Sequence, residues 1–235
     1  MTPVRLVLFD VDGTLILGTR RMRAWFEAAL TEVFGQAGDI EGHSFSGKID
    51  PQIVSELLSG VGVSSAEIEA GLPAVKLAYL TRLRNNLRPD HLRLLPHVVE
   101  TLDVLEGHQD VALGLLTGNW ELGARTKLAC FDLNRFFSFG AFSDGQRQRR
   151  DLPPIALERA TETTGENFEP AEALIVGDSV LDVECARQNG MQCLAVATGY
   201  TSVAELERAN PDWVISDLGE APEIHSVFRP RSLGR

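Results

Sequence analysis

Two aspartates, Asp10 and Asp12, follow an apolar run over residues 4–9 in the stretch FDVDGTL. Like charges this close repel, and burying them is costly unless a cation or a proton intervenes. A turn would account for Asp12-Gly13 but not for Asp10. Two further apolar runs end in comparable residues: ALGLLTGN in Thr117, Gly118 and Asn119, and ALIVGDSVLD in Gly177-Asp178, with Asp182 four residues on. If the three runs are parallel strands, their ends share one edge of a sheet, and that edge gathers Asp10, Asp12, Thr117, Asp178 and Asp182. Four carboxylates together call for a hard divalent cation. Mg²⁺ suits, because it takes one or two protein carboxylates, several waters and a substrate phosphate. Gly13, Thr14, Thr117 and Gly118 add N–H and O–H donors fit for a phosphoryl group. Local roles compete: Asp178-Ser179 also suits a helix N-cap, and Asp182 a helix dipole, both compatible with metal binding.

Strands and helices must alternate to bring these ends together. The pattern predicts strands over residues 4–9, 111–116, 173–176, 192–197 and Trp213–Ile215, with a weaker one within 136–142. Helices are expected over 96–105, 155–164 and 181–189. Such alternation implies an α/β fold, a doubly wound parallel sheet with helices on both faces. Residues 16–92 break the alternation and read as wholly helical. Met22, Trp25, Ala29 and Val33 share one helix face, Pro51 opens a second helix, and Ser64-Ser65 with Glu67 a third, carrying the stripe Ile68, Leu72, Val75, Tyr79 and Leu83. This stretch is expected to form a helical cap (16–92) inserted into a core made of residues 1–15 and 93–235.

These pieces resemble the haloacid dehalogenase superfamily, and in particular its Mg²⁺-dependent, phosphoglycolate-phosphatase-like members. FDVDGTL is similar to the family's first motif, DxDGT; LLTGN to the second, a strand ending in Thr or Ser; GDSVLD to the fourth, GDxxxD. The third motif, usually a lysine, is absent as such: DGQRQRRDLPPIALERA stands there, and counting back from Pro154 places Arg149 in its position, with Arg147 and Arg150 as alternatives. Arginine is always charged and forks onto phosphate, so the electrostatic role survives. The resemblance implies a Rossmann-like core, Asp10 as nucleophile and Asp12 as general acid/base. It implies Mg²⁺ held by Asp10, the Asp12 carbonyl and Asp178, with Asp182 completing the metal site from behind those ligands or through water. Thr117, Gly118, Asn119 and Arg149 would bind the phosphoryl oxygens. In the cap, SFSGKIDPQI is similar to a G-[KR]-x-D stretch of these members. There Gly47 would let the backbone approach a substrate and Lys48 would meet a second anionic group, although Asp50-Pro51 is also a good helix entry in itself. The activity implied is hydrolysis of a small phosphate ester through an aspartyl-phosphate. A phosphomutase using the same chemistry is the alternative, and a non-catalytic phosphoryl-binding module the rival from another class.

Bulk properties agree. Among 235 residues, 22 basic and 33 acidic side chains give a net charge of -11, which argues against general affinity for nucleic acid or anionic membranes. Cys130, Cys185 and Cys193 form no CxxC pair and read as reduced core thiols, and the five histidines are too scattered for a zinc site. No run approaches about 18 apolar residues, and the first apolar run does not suit a signal peptide. A cytoplasmic monomer or homodimer is expected. The last seven residues, RPRSLGR, read as a loose tail.

Overall fold

The computed structural model describes residues 2–220, so the RPRSLGR segment lies outside the described residues. Six parallel strands form the main sheet: β1 (Leu6–Phe9), β4 (Ala112–Leu116), β5 (Phe139–Ala141), β6 (Ala173–Gly177), β7 (Gln192–Val196) and β8 (Trp213–Ile215). Their order is β5-β4-β1-β6-β7-β8. The chain runs outward from β1 to β5, then returns to the other side of β1 and runs outward again, which creates a topological switch point between β1 and β6. Phe9 lies level with Leu115 on one side and Val176 on the other, so the three chemistry-bearing strand ends are immediate neighbours.

Both faces of the sheet are covered, which explains why its strands read as continuous apolar runs. Val7, Phe9, Leu115 and Val176 point into one cluster with α4 (Val98–Glu106) and α5 (Glu121–Ala129). Leu6, Leu8, Ile175 and Ala195 point into the other, with α6 (Leu152–Thr164), α7 (Val180–Gln188) and α8 (Val203–Ala209). Cys185 and Cys193 are buried there as unpaired thiols; Cys130, also unpaired, is half-buried. Burial pushes the Cys185 thiol up to about 12, so it stays protonated.

The expectation of an all-helical stretch over 16–92 needs correcting at its ends. Ile16–Gly18 (β2) and Leu92–Leu94 (β3) pair antiparallel, with Ile16 opposite Leu94, and form a two-stranded stem through which the chain leaves and re-enters the core. Three residues per strand are too few to show a period of two. Between the stem strands lie α1 (Arg20–Phe34), α2 (Asp50–Ser59) and α3 (Ser65–Asn86), the last opened by a capping box between Ser64 and Glu67. These helices share a third cluster, which includes Phe26, Leu30, Ile53, Leu58 and Val75 and which also takes in Trp120 from the main body. Helices α5 and α8 carry no strong periodic signal and were not expected. No helix among the described residues is long and apolar enough to cross a membrane.

Candidate active site

Asp10 follows β1 directly, its N–H donating to the Val176 carbonyl at 2.9 Å, so the sheet ladder fixes its backbone. The chain then turns sharply: Gly13 has φ +94° and donates to the Ile16 carbonyl at 2.8 Å. No side chain fits at Gly13, because a Cβ there would run into the Asp178 carboxylate. Asp178 leaves the end of β6. It is followed by Ser179, whose hydroxyl accepts from the Asp182 N–H at 3.2 Å and caps α7.

Asp10, Asp178 and Asp182 are all buried and bring one oxygen each within 4.8 Å of one another. Burial first, then Asp182 and Asp10, push Asp178 up to about 8. Burial raises Asp10 to about 6 against the pull of Arg149. Asp178 Oδ1 is buried without a hydrogen-bond partner among the described residues. An orphaned carboxylate oxygen clustered with two other buried acids, whose carboxylate oxygens are hard donors, fits a divalent cation such as Mg²⁺. Asp182 is differently placed, since both its oxygens are engaged: Oδ1 by Arg149, at 2.5 Å, and Oδ2 by the Ser179 N–H, at 3.0 Å.

Of the three arginines left open by the sequence, Arg149 lies in the site. Its Nη2 is 3.3 Å from Asp10 Oδ2, and its Nη1 donates to the Gly47 carbonyl at 3.2 Å. Arg147 is exposed and pairs with Glu69; Arg150 is exposed. Thr117 follows β4 directly, fully buried, its hydroxyl accepting from the Asn119 side chain at 2.8 Å. Thr14 is buried with its hydroxyl unpartnered among the described residues.

The stretch 47–50 reaches from the helical insert onto this edge. Gly47 packs on Ser179, and Gly118 admits the Lys48 carbonyl so closely that a Cβ would collide with it. The Asp50 N–H donates to the Gly118 carbonyl at 2.7 Å, and its carboxylate accepts from the Trp120 N–H at 2.8 Å. Lys48 is held against Glu56, with His43 Nε2 3.5 Å away. A cavity of about 360 Å³ opens beneath, lined by Asp10, Asp12, Thr117 and Arg149 below and by Arg23 and Phe45 above.

Sequence reasoning missed Lys127. It sits two turns into α5, buried, with Nζ 2.6 Å from both Asp12 Oδ2 and Asn119 Oδ1. Burial opposes its charge, but Asp12, Tyr79 and Asp50 outweigh that and hold the ammonium above its usual range. The one available signal was its spacing from Asn119, because helical side chains lean toward the N-terminus and a long one reaches the residues that open the helix. Also missed was the loop after β7, where Thr198 donates to the Gly13 carbonyl at 2.6 Å and Gly199 packs on Asp178.

Known proteins resemble this chain in sequence and in fold. A phosphoglycolate phosphatase from Pseudomonas syringae pv. tomato is 28% identical over 219 residues, covering 91% of this chain and 77% of the relative. Phosphoglycolate phosphatase 1 of Pseudomonas aeruginosa is 30% identical over 220 residues with the same coverage. Among solved structures, a predicted phosphatase from Clostridium acetobutylicum superposes with a TM-score of 0.72 at 18% identity, over 96% of this chain and 100% of its own, a likeness of fold. The model of the haloacid dehalogenase-like hydrolases matches residues 7–196, most of the chain with both aspartate motifs, and the protein belongs to that family.

Proposed function

We propose that the protein is a Mg²⁺-dependent phosphatase that hydrolyses a small phosphorylated metabolite through an aspartyl-phosphate, with phosphoglycolate as the first substrate to test. The observation that carries this reading is the separation of two differently held carboxylates at one strand end. Asp10 is buried beside Arg149 and the orphaned Asp178, whereas Asp12 is turned away onto Lys127 and Asn119 and stays half-exposed at the cavity. A nucleophile and a general acid/base need that separation. The names of the curated relatives support the choice of phosphoglycolate.

Asp10 attacks phosphorus, and the ester P–O bond breaks with its electron pair passing to the leaving oxygen, which takes a proton from Asp12. A water then attacks the phosphoryl group and gives a proton to Asp12; the acyl-phosphate P–O bond breaks, which frees phosphate and restores the Asp10 carboxylate. Arg149, the Thr117 hydroxyl and the Gly118 and Asn119 backbone surround the transferring oxygens, where charge stabilisation is most of the catalytic task. Asp10, the Asp12 carbonyl and Asp178 would hold Mg²⁺, with Asp182 fixing Arg149 behind them. The cation supplies screening of the acids and charge stabilisation on the phosphoryl oxygens. Residues 16–92 act as a cap: their 47–50 stretch closes the cavity against the strand ends and shields the intermediate from bulk water.

Phosphate release from a panel of phosphorylated metabolites, with Mg²⁺ and with chelator, tests the reading. Turnover that needs the cation is expected, and no release from any ester with any divalent ion would end the hydrolase assignment.

A further inference from the structure

The site holds two buried cations, and they do not share a partner. Arg149 is committed to Asp10 and Asp182. Lys127, with its side chain 5% exposed, is committed to Asp12 and Asn119. Both of its bonds are 2.6 Å, and the Asn119 side-chain amide adds a 2.8 Å bond to the same oxygen of Asp12. Asp12 Oδ2 therefore receives two donors on fixed geometry. Asp12 Oδ1 has no hydrogen-bond partner among the described residues, in a side chain that is 40% exposed and lines the cavity beside Asp10. Asp50, the buried acid that also acts on the Lys127 charge, has its carboxylate engaged by the Trp120 N–H and forms no ion pair with Lys127 among the described residues. Lys127 instead spends its ion pair on the carboxylate that opens to the reacting space, and the Asn119 amide closes the triangle.

We propose that Lys127 is the positioning residue for proton transfer: with Asn119 it pins Asp12 Oδ2, so that Oδ1 alone faces the leaving oxygen and then the attacking water. This rests on the phosphatase reading above. Without the pin the Asp12 carboxyl rotates between both oxygens and competes for Asn119, while Asp10, Arg149 and the donors around the phosphoryl group are untouched. Substrate binding is then spared and proton movement is not. The two chemical half-steps also part company. An aryl ester with an acidic phenol leaves without a proton, so its phosphoryl group still reaches Asp10. The water that must hydrolyse the aspartyl-phosphate still needs Asp12 Oδ1 to take its proton.

The test compares p-nitrophenyl phosphate with phosphoglycolate, or with whichever alkyl phosphate the parent turns over best. Lys127→Met is expected to lose about 100-fold or more in kcat on the alkyl ester with KM within about 3-fold of the parent. On the aryl ester it should show a burst of p-nitrophenol approaching one per enzyme, with a phosphoenzyme that hydroxylamine cleaves. Equal losses on both esters with no burst would overturn the assignment and leave Lys127 a structural cation. Should the methionine variant fail to fold, the burst on Lys127→Arg, which keeps the charge but moves its donors, decides in the same way. A parent that releases phosphate from neither ester would strike the phosphatase reading itself, and the role of Lys127 with it.

Discussion

Arg149 and Arg147 stand two residues apart in a run of basic side chains, yet the fold gives them opposite environments: one buried on Asp10 and Asp182, the other exposed against Glu69. Arg149→Ala is expected to lower kcat at least about 100-fold, the scale of removing a preorganised donor. It also leaves two buried acids without their cation, which costs roughly 3–5 kcal/mol of stability. Arg147→Ala should keep activity within about 2-fold, because an exposed ion pair contributes little. Steady-state kinetics and thermal melts of both variants check this, and the reverse ranking would place the phosphoryl cation elsewhere. Asp10→Asn keeps the size and backbone of the nucleophile and removes its charge; turnover should vanish with the fold intact by circular dichroism, and residual wild-type rates would exclude Asp10 as nucleophile. Asp10, Asp12 and Asp178 were legible in the sequence because each sits at the end of an apolar run, where two acids or a Gly-Asp pair have no apolar explanation. Lys127 was not, because nothing next to it in sequence marks it: its partners are eight and 115 positions away. Only a helix of the right phase brings them together.

At the scale of elements, the parallel strands were legible and the joints were not. Continuous apolar runs announce strands buried on both faces, but β2 and β3 are three residues each and form only by pairing with one another across the insert. The contact made by Asp50 was equally hidden. Its local sequence, Asp-Pro, reads as a helix entry, and it is one, with Asp50 opening α2. Only the fold reveals that its carboxylate also accepts from Trp120 at the start of α5. That contact has a pH dependence. Burial pushes Asp50 up to about 7, with Lys127 and the Trp120 N–H opposing. In the unfolded chain the carboxyl titrates near 3.8. Between these values the folded protein keeps a proton that the unfolded chain has lost, so stability is fullest below about 4 and falls as pH rises through about 7. The loss is at most about 4 kcal/mol. Asp50→Asn keeps an acceptor for Trp120 without the titration. It should melt above the parent at pH 8, with the gap closing toward pH 4; a gap independent of pH would mean that the carboxyl does not hold its proton in the fold.

The whole molecule carries a larger version of the same conflict at its catalytic edge. Its net charge is -11, and it concentrates Asp10, Asp178 and Asp182 in one buried cluster that, among the described residues, Arg149 compensates only in part. With Asp10 raised to about 6 and Asp178 to about 8, the protein without its cation holds protons there that the unfolded chain releases near 3.8. Stability from these two groups is therefore fullest below about 4 and is lost as pH climbs through 6 to 8. A divalent cation replaces those protons, so Mg²⁺ must compete with them at low pH and bind freely once they have gone. At a free concentration of 100 times its dissociation constant, a ligand that binds only the folded state stabilises by about 2.7 kcal/mol, or roughly 5–10 °C in Tm for a chain of this size. Melts with Mg²⁺ and with chelator should differ by that order at pH 8 and converge toward pH 5. Asp178→Asn should remove most of the difference, and it should melt above the chelated parent at pH 8, because the variant no longer brings an unpartnered acid into the cluster. A Mg²⁺ shift that survives Asp178→Asn unchanged, or that grows toward pH 5, would move the cation off this edge and take the proposed metal ligands with it.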